Sequence, residues 1–555
     1  MGLGILDTAL SGLTAFQRSL ETTSNNISNV STEGYSRQRV ETATRREQYT
    51  GSGYVGSGVS VVNITRSYDQ FITGQVRSST SAYHDVDSFY TLSSQIDNIT
   101  ADDTTGLAPA MKSFFDAVDT VANDPTSIPA RQTLLTQASS LTQQFNTLNT
   151  RFGELRDQVN TNLETDLTEI NGYAKALADL NVKIVADIGR ASGREMPNDL
   201  LDQRDLLLNK IAEKVDVNFT SQTDGSINVF IGNGQPLVLG NSASQLSLQS
   251  SATDSTHKEI LLNGQDISGL ISGGELYGNL RFRDQVLDPA QKQLGTLAMG
   301  LATEFNSTHQ AGFDLNGDPG LAFFDLGSPV VQVTPHAADD NLLVSASFVA
   351  PSSSANLDTG YRISVTGTSP NAYTLTNLSS NTSQTGLDDT TLATAAAALG
   401  FSITFSGGSL TSGDTFDLSP SFNAAGTLKV NSAITNPKQI AAASSAAGVP
   451  GDNSNALALA DLETKTLMQN GKASFTQVYS QLVADVGSQT HAASVNRTAQ
   501  DTLLKQATSA KETVSGVNLD EEAANLIKFQ NAYAAAAKAV SVASTLFDTL
   551  IGAVR

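Results

Sequence analysis

Residues 515–551 read SGVNLDEEAANLIKFQNAYAAAAKAVSVASTLFDTLI. Through this stretch and just past it, Leu519, Ala523, Leu526, Tyr533, Ala537, Val540, Phe547, Ile551 and Val554 recur at steps of three and four. With Gln530 and Ser544 as its polar members, the set makes one a/d stripe on a helix running to Arg555. Asn518 is placed to cap that helix, with Glu521 at the third helical position. Asp520 to Glu522 set negative charge where the helix dipole favours it.

The other end of the chain mirrors this pattern. Leu3, Leu6, Leu10, Leu13, Leu20 and Ile27 keep the same spacing, with Gln17 and Ser24 in the missing seam positions and Ala9 and Phe16 widening the stripe. This helix is expected to stop near Gly34, a residue free to turn the chain. Each terminal helix is roughly 30 residues, or about 45 Å, long. One apolar seam of that length needs a partner, and the economical one is the other terminal helix, in parallel or antiparallel. Two strands bury one stripe each, so Ile5, Phe16, Phe529, Leu546 and Leu550 are left over for further chains to cover. The competing reading is a pair of ordinary amphipathic helices in a globular core. Against it stands a long seam at both extreme ends, where most domains fray.

Inside the ends, Phe89 to about Lys214 is helix-rich. Leu141, Phe145, Leu148, Phe152, Leu155 and Val159 form a heptad seam that continues through Leu163, Leu167, Ile170, Ala174 and Leu177. Its two four-residue steps after Val159 form a stutter. Asp124-Pro125 and Ile128-Pro129 mark the loop before this helix. A matching helix begins at Phe475, Tyr479, Leu482 and Val486 and reaches about Thr513. N- and C-terminal halves then pair layer by layer, like nested brackets. Between them, Val217 and Phe219, then Ile227, Val229 and Ile231, alternate as short strands separated by Asp224-Gly225 and Asn233-Gly234 turns. A helix is expected over Asp284 to Thr308. From Val330 to Thr427, VQVTP, YRISVTG, AYTLTNL and FSITFSG read as strands of a small β domain inserted far from both ends. This segment holds two adjacent acidic pairs, Asp339-Asp340 and Asp388-Asp389, and its composition favours an inert, exposed β module.

The fold class is therefore multidomain α+β. Residues 1–35 and 515–555 form a discontinuous terminal coiled-coil core. Residues 36–214 and 430–514 form a helix-rich inner domain, 215–329 a mixed segment, and 330–429 a β-rich surface insertion.

Composition narrows the function. The 555 residues are 39% hydrophobic and 16% charged, which can build real cores. A formal charge of −22 repels phosphate backbones, so nucleic acid is not an expected partner. There are no cysteines, excluding disulfides and thiolate metal sites. Tryptophan is absent and aromatics are 6%, a poor stock for ligand pockets. The start lacks a basic, then continuously apolar, signal segment, and no stretch is long and apolar enough to span a bilayer. If the chain is exported, it leaves without a cleaved signal peptide.

Catalytic chemistry is hardly visible. His84, His257, His309, His336 and His491 make no metal pair, and neither a nucleophile elbow nor a P-loop occurs. No catalytic residue, cofactor or enzymatic activity is expected. One metal candidate exists: Asp314, Asn316 and Asp318 have calcium-loop spacing, with Asp325 at the twelfth position. Pro319 stands where such a loop wants Gly, and Asp325 where it wants Glu, so an Asp/Asn/Gly-rich turn is the plainer reading.

Two segments carry a resemblance. SNNISNVSTEGYSRQ, Ser24 to Gln38, resembles the N-terminal signature shared by flagellar rod, hook and hook-associated axial proteins. Its marks are Asn25, Asn26, Asn29, Gly34 and Tyr35, with Glu33 replacing the usual proline. Ser515 to Ile551 is similar to the C-terminal signature of the same family. NDLLDQRDLLLNKIAE (Asn198 to Glu213) and GGELYGNLRFRD (Gly273 to Asp284), with the later FNSTHQAGFDLNGDPG, resemble the hook-associated branch rather than hook or rod proteins. The resemblance covers both ends and most of the chain to about Gly327, and not Val330 to Thr427.

What the resemblance implies is a structural subunit at the distal end of the hook, outside the cell, exported unfolded through the flagellar type III apparatus. Its implied partners are a homo-oligomeric ring, the hook protein, a second hook-associated junction protein and an export chaperone. Leu3, Leu6, Leu10, Leu13, Leu20 and Ile27 with the signature residues, and Leu519, Leu526, Tyr533, Val540, Phe547 and Ile551, are the implied assembly interface. The ends are expected to be disordered in the free chain and ordered on assembly. A hook or rod subunit, or an adhesin acting through the β insertion, are the alternatives.

Overall fold

The computed structural model describes residues 2–49, 51, 53–102, 106–191, 195–251, 256–327, 332–337, 342–349, 360–378, 380–469 and 471–554. Helix α1 (Gly2–Ser28) ends earlier than the Gly34 expected from sequence. Asn29 Nδ2 donates to the Asn25 carbonyl (3.0 Å) and side-chain oxygen (2.9 Å), and the Thr32 amide to the Asn29 carbonyl (2.9 Å). Asparagine offers the backbone an alternative to the helix here. Gly34 still makes the turn, at φ +83°.

Residues 36–69 belong to the expected helix-rich layer, yet the described ones form a long β ribbon. Strand β1 (Gln38–Thr44) pairs antiparallel with β4 (Val59–Arg66), with a bulge at Glu41/Thr42. The tip is β2 (Gln48–Tyr49) against β3 (Tyr54–Val55). Alternating β-branched residues in QRVETAT and VSVVNITR explain the outcome.

Helix α2 (Gln70–Thr100) starts well before Phe89, because the Asp69 carboxylate caps it by accepting from the Phe71 and Ile72 amides. Helix α3 (Leu107–Asn123) leads to α4 (Ile128–Arg190), 63 residues in one piece, capped by Ser127 with Pro129 in its first turn. The whole seam from Leu141 to Leu177 is buried, stutter included. Helix α5 (Asn198–Lys214) follows.

Strands β5 (Val217–Ser221), β6 (Ile227–Ile231), β7 (Gln235–Leu239) and β8 (Ser242–Ala243) form a four-stranded sheet. A second sheet holds β9 (Leu246–Ser250), β10 (Lys258–Leu262) and β11 (Gln265–Asp266). Both are tied to α4 by asparagines. Asn181 Nδ2 donates to the Ile227 and Gly240 carbonyls (2.8 and 2.6 Å), and Asn171 exchanges bonds with both backbone groups of Leu246 (2.8 and 2.9 Å). Ile227, Val229 and Ile231 share one continuous core with α4. The helix expected over 284–308 is the far part of a longer run: α6 (Gly274–Phe282), a π turn at Arg283–Leu287, and α7 (Asp288–Ala311).

The insertion stands on a short antiparallel pair, β12 (Phe324–Asp325) with β20 (Lys429–Val430). It contains β13 (Gln332–His336), β14 (Leu343–Phe348), β15 (Tyr361–Thr368), β16 (Asn371–Asn377), β17 (Thr382–Leu387), α8 (Asp389–Ala398), β18 (Phe401–Ser406) and β19 (Thr415–Ser419). Five strands make a sheet of order β13-β19-β15-β16-β17, and β14 pairs with β18. Residue spacing carries no sign of α8. Of the two acidic pairs, Asp388 is the N-cap of this helix, in a capping box with Thr391, while Asp339-Asp340 lies outside the described residues. The insertion packs around Ile363, Tyr373, Leu375, Phe401 and Phe416, a core separate from the main one.

Short helices α9 (Ala424–Thr427) and α10 (Ser454–Ala460) lead to α11 (Phe475–Ser515), capped by Ser474 with Gln477, and α12 (Leu519–Val554). Helix α11 runs antiparallel along α2. Tyr479 Oη donates to the Thr100 carbonyl (2.7 Å), Thr490 Oγ1 to the Ser93 carbonyl (3.1 Å), and Arg497 pairs with Asp87. Among the described residues no helix is long and apolar enough to cross a membrane.

Candidate assembly interface

Helices α1 and α12 pack on one another, and α1's last turns meet α12's first, so the pair is antiparallel. The side chains that α1 buries are not its leucines. Ser11, Ala15, Ser19, Thr22, Thr23 and Asn26 are buried, at helical spacing, beneath α12 and the ribbon. The hydroxyls of Ser11, Ser19 and Thr22 donate to the carbonyls of Thr8, Ala15 and Arg18 (2.8, 2.9 and 2.9 Å). Ser11 Oγ also accepts from the Val59 amide (3.1 Å). Small residues whose polar atoms are already satisfied can be buried against a neighbouring element without desolvation cost.

The leucine stripe lies beside that face. Leu6, Leu13, Leu20 and Ile27 are half-buried, Leu10 is 52% exposed, and the Leu3 side chain lies outside the described residues. On α12, Leu526, Tyr533, Ala537 and Val540 are half-buried as the seam requires, whereas Leu519, Phe547 and Ile551 are exposed. Phe529, set outside the seam by sequence, is half-buried, and Ala543 is buried. Ile5, Leu546, Ile527 and Val542 are exposed, at 52%, 55%, 59% and 50%. The side chains of Leu550 and Val554 lie outside the described residues.

Sequence spacing picks out apolar residues and so finds the half-buried stripe. The fully buried one carries its signal in small residues at steps of four, Ser11, Ala15 and Ser19. Helix α12 has 36 residues against 27 in α1, so it reaches about 13 Å further, carrying Phe547 and Ile551.

The root of the pair is a polar node. Asn26 Oδ1 accepts from Tyr35 Oη (2.8 Å) and the Gln38 amide (2.9 Å), while its Nδ2 donates to the Gln38 carbonyl (2.8 Å) and Glu522 Oε2 (3.1 Å). Arg37 Nε donates to Glu522 Oε1 (2.8 Å) and its terminal nitrogen to Glu521 Oε1 (2.6 Å). Asn518 Oδ1 accepts from the Asp520 amide (3.0 Å), so it caps α12 as expected. Glu522 does more than complement the helix dipole, since it is 1% exposed and held by Arg37 and Asn26. Burial, with Asp199, Asp202 and Glu522 nearby, pushes the Tyr35 hydroxyl up to about 12. Asn25 and Asn29 stay nearer the surface and bond each other.

A second charged cluster, unseen in the sequence, ties the inner elements. Lys214 Nζ lies 3.0 Å from Asp166, 3.1 Å from Glu169 and 2.6 Å from Glu275, and His84 Nδ1 lies 3.1 Å from Glu275. Burial raises Asp166 in spite of Lys214, whereas hydrogen bonds from His84 and Lys214 outweigh burial and hold Glu275 low.

The calcium candidate does not assemble. Asp314 Oδ1 instead accepts from the Asn316 and Asp318 amides (2.7 and 3.0 Å), closing an Asx-type turn. Asp325 accepts from the Gly327 amide and pairs with Lys429. Among the described residues, no three His, Cys, Asp or Glu side chains gather as a metal site.

Three stretches of the chain match known protein families. Residues 93–324 match the family model for the flagellar hook-associated protein FlgK helical domain. Residues 6–35 match the flagella basal body rod protein model, and 513–553 the flagellar basal body rod FlgEFG protein C-terminal model. Flagellar hook-associated protein 1 of Escherichia coli K12 is 36% identical over 99% of both chains, and that of Bacillus subtilis 168 is 26% identical over 98% of this chain and 97% of its own. The structure of the flagellar hook junction protein FlgK from Burkholderia pseudomallei superposes with a TM-score of 0.67 at 25% identity, covering 80% of this chain and all of its own.

Proposed function

The chain belongs to the flagellar hook-associated protein 1 family, and from that premise we propose how a structural subunit joining the flagellar hook to its filament makes its contacts. The paired terminal helices bind hook components and neighbouring copies through the apolar side chains they leave uncovered. The observation that carries this is the exposure of Ile5, Leu10, Leu519, Ile527, Val542, Leu546, Phe547 and Ile551 on two helices already packed together. Large apolar side chains left in water on helices that are already packed together offer surface to a partner. In this reading Leu3, Leu6, Leu10, Leu13, Leu20 and Ile27 on α1, and Leu519, Leu526, Tyr533, Val540, Phe547 and Ile551 on α12, are covered on assembly. Asn25, Asn26, Asn29, Gly34 and Tyr35 shape the root.

The same reading carries the finer partners. They are a ring of identical subunits, the hook protein beneath, a second junction protein above, and a chaperone before export without a cleaved signal peptide. The work is structural, with no catalysis. Deleting Leu519 to Arg555 leaves a folded body that no longer joins the hook. Filament growth on hooks carrying only the truncated protein sinks the mechanism. Antibody labelling of isolated hooks separates it from a hook-subunit role, which would label the whole length.

A second reading has its own support. The insertion has a separate core and joins the body through β12 and β20, a design suited to carrying an added binding function. Loss of cell or glycan adhesion with motility retained, on removing it, supports that role. Unchanged adhesion removes it.

A further inference from the structure

The loop leaving α1 and the ribbon strand returning to α2 both close on α5. The Ser36 amide donates to Asp202 Oδ2 (2.9 Å), and Gln38 Nε2 to Asp199 Oδ1 (2.9 Å). Opposite Gln38 at the ribbon's base, Arg66 reaches Asp202 (2.8 Å) and Asp205 (2.7 Å), and Asn198 Nδ2 donates to the Ile64 carbonyl (2.7 Å). Both aspartates and Arg66 are about nine-tenths buried, so these bonds are little screened. Gly34 passes so close to α5 that a Cβ there would sit 3.1 Å from Leu206 Cβ, at a φ that disfavours any side chain.

Bonding is uneven along the terminal pair. At its root Asn26, Tyr35, Arg37 and Glu522 are interlocked, and the Arg37 amide donates to the Ser515 carbonyl (2.9 Å). Toward the tips, among the described residues, the polar bonds to other elements are Ser11 with Val59 and Asp7 with Arg45 at 3.4 Å.

We propose that α5 is a latch, with Asp202 and Gly34 as positioning residues that hold the root of the terminal pair ordered in the single subunit. The tips beyond it complete their folding against neighbours. The latch rests on reading the terminal pair as the assembly face. Through it the stretch NDLLDQRD fixes where the assembly helices leave the body.

Hydrogen exchange of the full-length free chain, followed by mass spectrometry, tests this. Peptides over 24–38 and 515–526 exchange about tenfold or more slowly than those over 4–14 and 536–549. Asp202→Ala removes the acceptor of the Ser36 amide and a partner of Arg66, and brings root exchange to the rate of the tips while α4 protection is unchanged. Asp202→Asn, which keeps a carbonyl acceptor, falls between. Gly34→Ala attacks the same contact from the other side and carries the test if Asp202→Ala disturbs α4. Equal exchange of root and tips in the unaltered chain, or root protection surviving both alanine variants, overturns the latch. Failure of the unaltered chain to bind hook ends instead overturns the assembly reading and leaves the exchange result standing.

Discussion

Asn26 and Glu522 are 496 positions apart in the chain and 3.1 Å apart in space. Their bond closes the outermost bracket of a fold in which α2 and α11 form the next one inward. Both side chains are buried, at 1% exposure each. A buried carboxylate is tolerated only when paired and fully bonded. Glu522 has Arg37 on one oxygen and Asn26 on the other, and Asn26 spends both its oxygen and its nitrogen on Tyr35, Gln38 and Glu522.

Asn26→Ala therefore leaves the Gln38 backbone groups and one Glu522 oxygen without partners. The expected cost is about 1–3 kcal/mol, confined to the root. Limited proteolysis between residues 29 and 37 accelerates about 5- to 150-fold, because cleavage follows the opened population. An unchanged cleavage rate shows that the node contributes nothing to order.

The two kinds of apolar residue respond differently. Phe152 sits fully buried on α4, and Phe152→Ala lowers unfolding free energy by about 3–5 kcal/mol in urea titrations of the purified chain. Leu10→Ala or Leu546→Ala shifts it by less than about 0.5 kcal/mol, because those side chains are half in water already. Yet these two abolish or sharply reduce joining to hooks in a motility complementation assay. Normal swimming with both replaced would falsify their role as contacts.

Stability depends on pH through His309. Its Nδ1–H donates to the Leu321 carbonyl (2.6 Å), and its Nε2 accepts from the Ala441 amide (3.0 Å), which fixes a neutral tautomer. Burial, with the nearby Arg131, lowers its pKa from 6.5 to about 4. The unfolded imidazole binds a proton below 6.5 and the folded one only near 4. The stabilisation is thus complete above pH 6.5 and is lost as pH falls through the interval to 4. The span is roughly 3 kcal/mol. Urea titrations at pH 7 and pH 4.5 measure it, and the same pair on His309→Gln lacks this component. Equal pH slopes in the two chains contradict the assignment.

Replacing residues 332–419 with a short Gly/Ser linker removes the separate core and leaves the β12–β20 base. Melting of the body moves by less than about 3 °C, since a separate core contributes little to its neighbour's stability. Differential scanning calorimetry of the two chains decides, and a large fall shows that body and insertion fold as one unit.

Sequence alone determined what depends on local periodicity. The buried face of α4 was legible from a seam running Leu141 to Leu177, and the strands from alternation in Ile227, Val229 and Ile231, because each residue's burial follows from its place on one element. The cap at Asn518 and the turn at Gly34 were legible because backbone geometry there admits few residue types. Tertiary structure decided what depends on distant partners. The chain buries Ser11, Ala15 and Ser19 of α1 and leaves Leu10 outside, since burial along a helix is set by the elements packed on it and not by its own hydrophobicity. Likewise it took Asn26, Arg37 and Asp202 from three separate stretches to build the root, and no spacing within any one stretch encodes that meeting.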